Sequence, residues 1–210
     1  MNEEIDLVRL EQATFRTANQ DGLTELWMGL MILAIALVLV QAAFAATVAF
    51  LILYQAVLNE KIKEKYTYPR IGKVKLRNEK EMPSGYGWLI VVALMIPALA
   101  AVVFSQRIEN DLLLLIANLA PVLVGIGLVP PAAYLVERSG LRSYYGIGAI
   151  AVILSGILVL VEFSTPAYRM VSYLALVGAL FVLTGILSLF RFVRKYPILE
   201  VEEMSDEPGA

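Results

Sequence analysis

Charged residues vanish from five long stretches of this chain. None lies between Glu25 and Glu60, and none occurs in Met82–Gln106, Leu112–Val136, Ser143–Val161 or Met170–Phe190. Each stretch meets or exceeds the roughly 18 apolar residues that mark a membrane-crossing helix. The outer elements of a soluble fold need a polar face, and these segments have none. The pattern therefore predicts an all-α polytopic transmembrane helical bundle. The first stretch, Leu26–Leu58, is long enough to form a helix of about 50 Å, whereas the hydrocarbon layer is only ~30 Å thick. It is either one steeply tilted helix or a hairpin of two short spans turning near Gln41. The hairpin is the preferred reading and gives six spans, at about 24–41, 42–60, 86–105, 111–135, 144–162 and 167–190; the single helix gives five.

Local signals mark the ends of these elements. Thr165 followed by Pro166 reads as an N-cap with proline at the first helical position. Asn110 before Asp111 caps the fourth span in the same way. Asp21 and Glu25 fall at the start of the first span, where negative charge suits the helix dipole. Trp27, Tyr86, Trp88, Tyr144, Tyr145 and Tyr168 lie near expected interfaces, where a ring has one side in oil and the other among headgroups. Arg191–Lys195 end the last helix and Pro197 stops it. Residues 1–195 thus read as one transmembrane domain with a basic loop at 61–85, and 196–210 as an acidic tail expected to lack fixed structure.

Composition agrees with the pattern: 59% of residues are hydrophobic and 17% charged, with a mean hydropathy of +0.73. The distribution of positive charge adds direction. Lys61, Lys63, Lys65, Arg70, Lys73, Lys75, Arg77 and Lys80 hold eight of the seventeen basic residues. Loops rich in Lys and Arg stay on the cytoplasmic side. With that segment inside and six spans, fifteen basic residues lie inside and only Arg107 and Arg169 outside; with five spans the division is thirteen to four. Both termini are expected in the cytoplasm. The early apolar residues are interleaved with charge and no small-residue cleavage site follows, so no signal peptide is expected.

Beyond Pro69, Lys73-Val74-Lys75-Leu76-Arg77 alternates, so an extended backbone would lay Val74 and Leu76 on one face and three cations on the other. Such a ribbon either serves only to fix topology or sets Arg70, Lys73, Lys75 and Arg77 on anionic headgroups or a partner. Asp21-Gly22-Leu23 ahead of the first apolar block, together with Tyr68-Pro69-Arg70-Ile71-Gly72-Lys73-Val74 after it, resembles a family of small uncharacterised prokaryotic polytopic membrane proteins with a Tyr-Pro-Arg-Ile-Gly juxtamembrane loop. The resemblance covers about residues 20–77. It implies a hairpin and an inner-membrane location, and it brings no activity with it.

Polar residues inside spans are costly and often functional. The inventory here is Gln41, Thr47, Gln55, Asn118, Ser155, Thr184 and Ser188. Asn118 precedes Pro121, Gly125, Gly127 and Pro130–Pro131, which makes the fourth span the most irregular. Asn118 either lines a pathway, with Gln55, or bonds a neighbouring helix across a kink. Glu137 and Glu162 sit at span ends, away from the midplane where a coupling acid belongs. Gly146-Ile147-Gly148-Ala149-Ile150-Ala151 matches a dinucleotide fingerprint, but no strand precedes it, so its glycines read as helix-packing positions. The spacings Ala42/Ala46, Ala45/Ala49 and Ala175/Ala179 say little about dimerisation, because alanine is so common in spans.

Histidine and cysteine are absent, which removes imidazole bases, thiolates and the usual haem attachment. No phosphate loop or metal-spaced acidic cluster occurs. The expectation is a non-enzymatic integral membrane accessory or interaction protein of the inner membrane, with no cofactor, metal or nucleic acid. Its partners would be membrane lipids and a second copy or another membrane protein. The alternative is a small transporter or channel subunit with a pathway near Asn118.

Overall fold

The computed structural model describes residues 17, 20–71, 85–108, 110–139 and 142–197. The described residues are 87% helical, with no strand among them. The elements are α1 (Leu23–Val40), a 3-10 turn (Ala42–Phe44), α2 (Ala45–Tyr66), α3 (Tyr68–Ile71), α4 (Gly85–Phe104), α5 (Asp111–Gly127), α6 (Val129–Ser139), α7 (Ser143–Leu160) and α8 (Pro166–Lys195).

Gln41 adopts an extended backbone and breaks the first charge-free stretch in two. α2 then runs back beside α1, so that Thr67 donates to the Asp21 carboxylate across 46 residues of chain. That stretch is a hairpin. α2 bends by 52° between Gln55 and Val57 and continues to Tyr66. The basic segment expected as a loop from residue 61 therefore begins as helix. Lys and Glu are good helix formers, and nothing before Thr67 interrupts them. α5 accommodates Pro121 without breaking and is separated from α6 only by Leu128, whose N–H still reaches the Val124 carbonyl. The caps read from sequence form: Asn110 accepts from the Leu113 N–H at 3.1 Å, and Thr165 from the Tyr168 N–H at 3.3 Å.

Three helices are long and apolar enough to cross a membrane: Leu23–Val40, Asp111–Tyr134 across α5 and α6, and Pro166–Lys195. The bent run from Ala42 to Tyr66 gives a fourth when its two arms are counted as one span. Ala93–Phe104 and Tyr144–Leu160 are shorter apolar segments. The chain is a membrane-embedded protein with fewer helices meeting this measure than the six expected. The shortfall lies in α7, too short by a turn or less, and in the described apolar part of α4.

α1 and α8 form the tightest pair, antiparallel and set by glycine. Gly22, which caps α1, and Gly29 within it lie seven residues apart, as do Gly178 and Gly185 of α8. A Cβ at Gly29 would sit 2.6 Å from the Val182 nitrogen, and one at Gly185 2.6 Å from the Leu26 nitrogen. Gly22 also has φ of +77°, a left-handed conformation that glycine alone adopts cheaply. Backbones this close leave no room for side chains, which is how helices gain van der Waals contact in lipid. The remaining core is built from small residues on α4, α5 and α7 (Ala98, Ala101, Ala117, Ala120, Ala151) against Tyr173 and Val177 of α8.

These contacts fix which helix ends lie together. Gly22 meets Gly185 and Leu189, Asp21 meets Thr67, and Glu25 meets Tyr144. The start of α1, the end of α2, the start of α7 and the end of α8 therefore share one end of the bundle. Arg169 reaches Asn118 and the Val161 carbonyl, which places the start of α8, the first turns of α5 and the end of α7 at the other.

Candidate functional site

The end that gathers α1, α2, α7 and α8 carries most of the described positive charge: Lys61, Lys63 and Lys65 on α2, Arg70 on α3, Arg142 before α7, and Arg191, Arg194 and Lys195 on α8. Beneath them sits a pair of acids. Asp21 is 0% exposed and Glu25 2%. One Asp21 oxygen accepts from the Leu23 N–H at 3.1 Å and the other from the Thr67 hydroxyl at 3.1 Å. The Lys63 ammonium stands 3.9 Å from that second oxygen. The Tyr144 hydroxyl donates to one Glu25 oxygen, while the other is buried with no partner among the described residues.

Burial pushes the Asp21 carboxyl above its ordinary value, and Lys63 and its hydrogen bonds pull against that shift. The arrangement pins the first turn of α1 to the last turn of α2 and to α7. Sequence reading had placed both acids at the start of the first span, where they suit the helix dipole; the fold turns them inward. The available signal was the Asp-Gly pair followed by Glu four residues after the aspartate, which puts two acids on one side of an apolar helix.

The Tyr-Pro-Arg-Ile portion of the basic segment folds as the single turn α3. Tyr68 donates to Glu60 at 3.0 Å, and Arg70 donates to the Tyr66 carbonyl at 2.7 Å. Arg70 is thus half-buried and anchored beside the Asp21–Thr67 contact. Lys73, Lys75 and Arg77, with the ribbon proposed for them, lie outside the described residues.

The possible pathway residues are not brought together. Gln55 is exposed on α2. Asn118 is half-buried at the opposite end of the bundle from Asp21, and its side-chain oxygen accepts from Arg169 at 2.7 Å. Arg169 also donates to the Val161 carbonyl at 3.2 Å and lies 5.7 Å from the centre of the Phe163 ring. This arginine, counted from the sequence among the outer-side charges, staples α5, α7 and α8. Glu162 is exposed, as its position at a helix end implied. Of the two fingerprint glycines, Gly148 faces Ala132 of α6 at 3.2 Å from an added Cβ, and Gly146 faces open space.

Deeper in the bundle, Gly125 of α5 lies against two hydroxyls. An added Cβ there would be 2.8 Å from the Ser155 oxygen and 3.2 Å from that of Tyr173. Ser155 donates to the Val152 carbonyl. Among the described residues no group of three or more His, Cys, Asp or Glu side chains is placed to hold a metal ion. Comparison of the chain with protein-family models, with curated proteins and with solved structures finds no match.

Proposed function

We propose that this chain is a non-enzymatic integral membrane accessory or interaction protein that uses its basic end to dock anionic lipid or a partner. In this reading six helical segments cross the membrane, α5 and α6 together forming the fourth. The basic end faces the cytoplasm, in an inner membrane of a prokaryotic cell. The observation that carries it is the convergence of the described lysines and arginines of α2, α3 and α8 on one end, above a folded Asp21–Lys63–Thr67 clasp. That clasp gives the basic segment Lys61–Lys80 a fixed starting point. The alternation of helix ends supports six crossings, and the fifteen-to-two division of charge supports the sidedness.

The transporter reading has less in its favour: the Asn118 amide is occupied by Arg169, and Gln55 lies on an exposed face. The test uses the full chain in zwitterionic nanodiscs and measures capture of acidic vesicles across a salt series. Wild type should bind, with affinity falling as salt rises. Replacing Arg70, Lys73, Lys75 and Arg77 together by glutamine should abolish most of the binding. Capture unchanged by those substitutions overturns the proposal.

A further inference from the structure

α8 runs past the apolar part of its sequence into Arg191, Arg194 and Lys195. Leu187, Phe190, Arg191 and Arg194 recur at three- and four-residue spacing, so they share one helix face. Together they line a shallow hollow of about 340 Å³. Leu187 is 52% exposed and Phe190 62%, and both arginines are exposed. Among the described residues neither guanidinium meets a carboxylate or a hydrogen-bond acceptor. The face therefore presents apolar surface below and, above it, two cations that meet no carboxylate among the described residues, over ~10 Å of helix. That is on the order of the layer separating hydrocarbon from water.

We infer that this face of α8 is a binding site for one anionic glycerophospholipid. Its phosphate sits between Arg191 and Arg194, whose guanidinium forks match phosphate geometry. An acyl chain lies along Phe190 and Leu187. A free phosphate would use only the cationic half of the hollow. The inference deepens the docking function proposed above and rests on the same membrane reading. It assigns the contact to a folded helix rather than to the 61–80 segment.

The experiment is native mass spectrometry of the full chain released from micelles containing phosphatidylglycerol or phosphatidylcholine with identical chains. Wild type should retain phosphatidylglycerol with a roughly 30-fold preference, two cations contributing. R191Q/R194Q should lose the preference. K73Q/K75Q/R77Q should keep it. L187S/F190S, which leaves both charges, should weaken phosphatidylglycerol retention. The reverse pattern, with the loop variant losing the preference and the α8 variant keeping it, overturns this site and leaves loop docking standing. Displacement of phosphatidylglycerol by millimolar inorganic phosphate, or undiminished retention by L187S/F190S, overturns the assignment to a lipid. A preference untouched by any variant overturns the site altogether.

Discussion

Substituting alanine for Gly29 should destabilise the protein, and the same substitution at Gly146 should not. Both glycines lie inside helices, so both gain up to about 1 kcal/mol of intrinsic helix preference from the added methyl group. That gain cancels in the comparison and leaves the tertiary contact. At Gly146 the new Cβ meets nothing within 4 Å. At Gly29 it would lie 2.6 Å from the Val182 nitrogen and 2.8 Å from the Gly178 oxygen. Those atoms are backbone and cannot rotate away, so α1 and α8 must part by roughly 1 Å. A gap of that size forfeits a quarter to a half of each contact's well, and the ~40 contacts that one buried side chain makes, at about 0.1–0.2 kcal/mol each, set the scale of the loss at the crossing. The expected separation between the two variants is thus about 1–4 kcal/mol. Reversible unfolding of the full chain in mixed micelles by increasing SDS, followed by far-UV circular dichroism and by the buried Trp27, measures it. Identical midpoints for Gly29→Ala and Gly146→Ala would show that the glycine crossing does not hold these helices together.

Three further outcomes follow from the polar contacts. Arg169→Ala removes the bonds to Asn118 and Val161 and should cost about 1–3 kcal/mol, because the half-buried Asn118 oxygen loses its partner; Arg169→Gln, able to donate one bond, should recover part of that loss in the same assay. Tyr144→Phe takes the phenolic donor from the Glu25 oxygen that it serves and should lower the unfolding midpoint by a similar amount, while an accompanying Glu25→Gln should lessen the loss by removing a buried acid. Asp21 supplies a pH dependence. Its folded-state pKa is raised, so between the unfolded value near 3.8 and the folded value the folded chain holds more protons than the unfolded one. Its contribution to stability is therefore greatest at low pH and declines as pH rises through that window. Asp21→Asn should flatten this slope relative to wild type, and a wild-type minus variant difference that instead grows with pH would refute the burial argument.

The helical class was legible because charge disappears over lengths that only a membrane or a large core could absorb. Two caps were legible because Asn110 and Thr165 act on backbone groups three residues away, within the reach of a local reading. The inward turn of Asp21 and Glu25 was not, since burial there depends on Thr67 and Tyr144, 46 and 119 residues distant in the chain. The bond of Arg169 was hidden for the same reason: the sequence placed it only as an outer-side charge, and only the packing of α5 against α8 brings Asn118 within 2.7 Å. The glycine crossing stands between these cases. Gly22 and Gly29 repeat at seven residues, as do Gly178 and Gly185, and a seven-residue spacing keeps a seam on one helix face.

The division of charge and the contact geometry are independent arguments that meet at the same place. The first counts arginines and lysines between apolar segments and uses no distances. The second follows Gly22 to Gly185, Asp21 to Thr67, Glu25 to Tyr144 and Arg169 to Asn118, and uses no charge rule. Both sort Lys63, Arg70, Arg191 and Arg194 to one end and Arg169 to the other. Had α2 continued away from Asp21 instead of returning to it, Lys63 and Arg191 would lie at opposite ends of the bundle, and no single basic face would exist. The hairpin break at Gln41 is therefore the structural condition for a single basic end, which makes the Asp21–Thr67 clasp, rather than any one lysine, the contact that holds the end of α2 there.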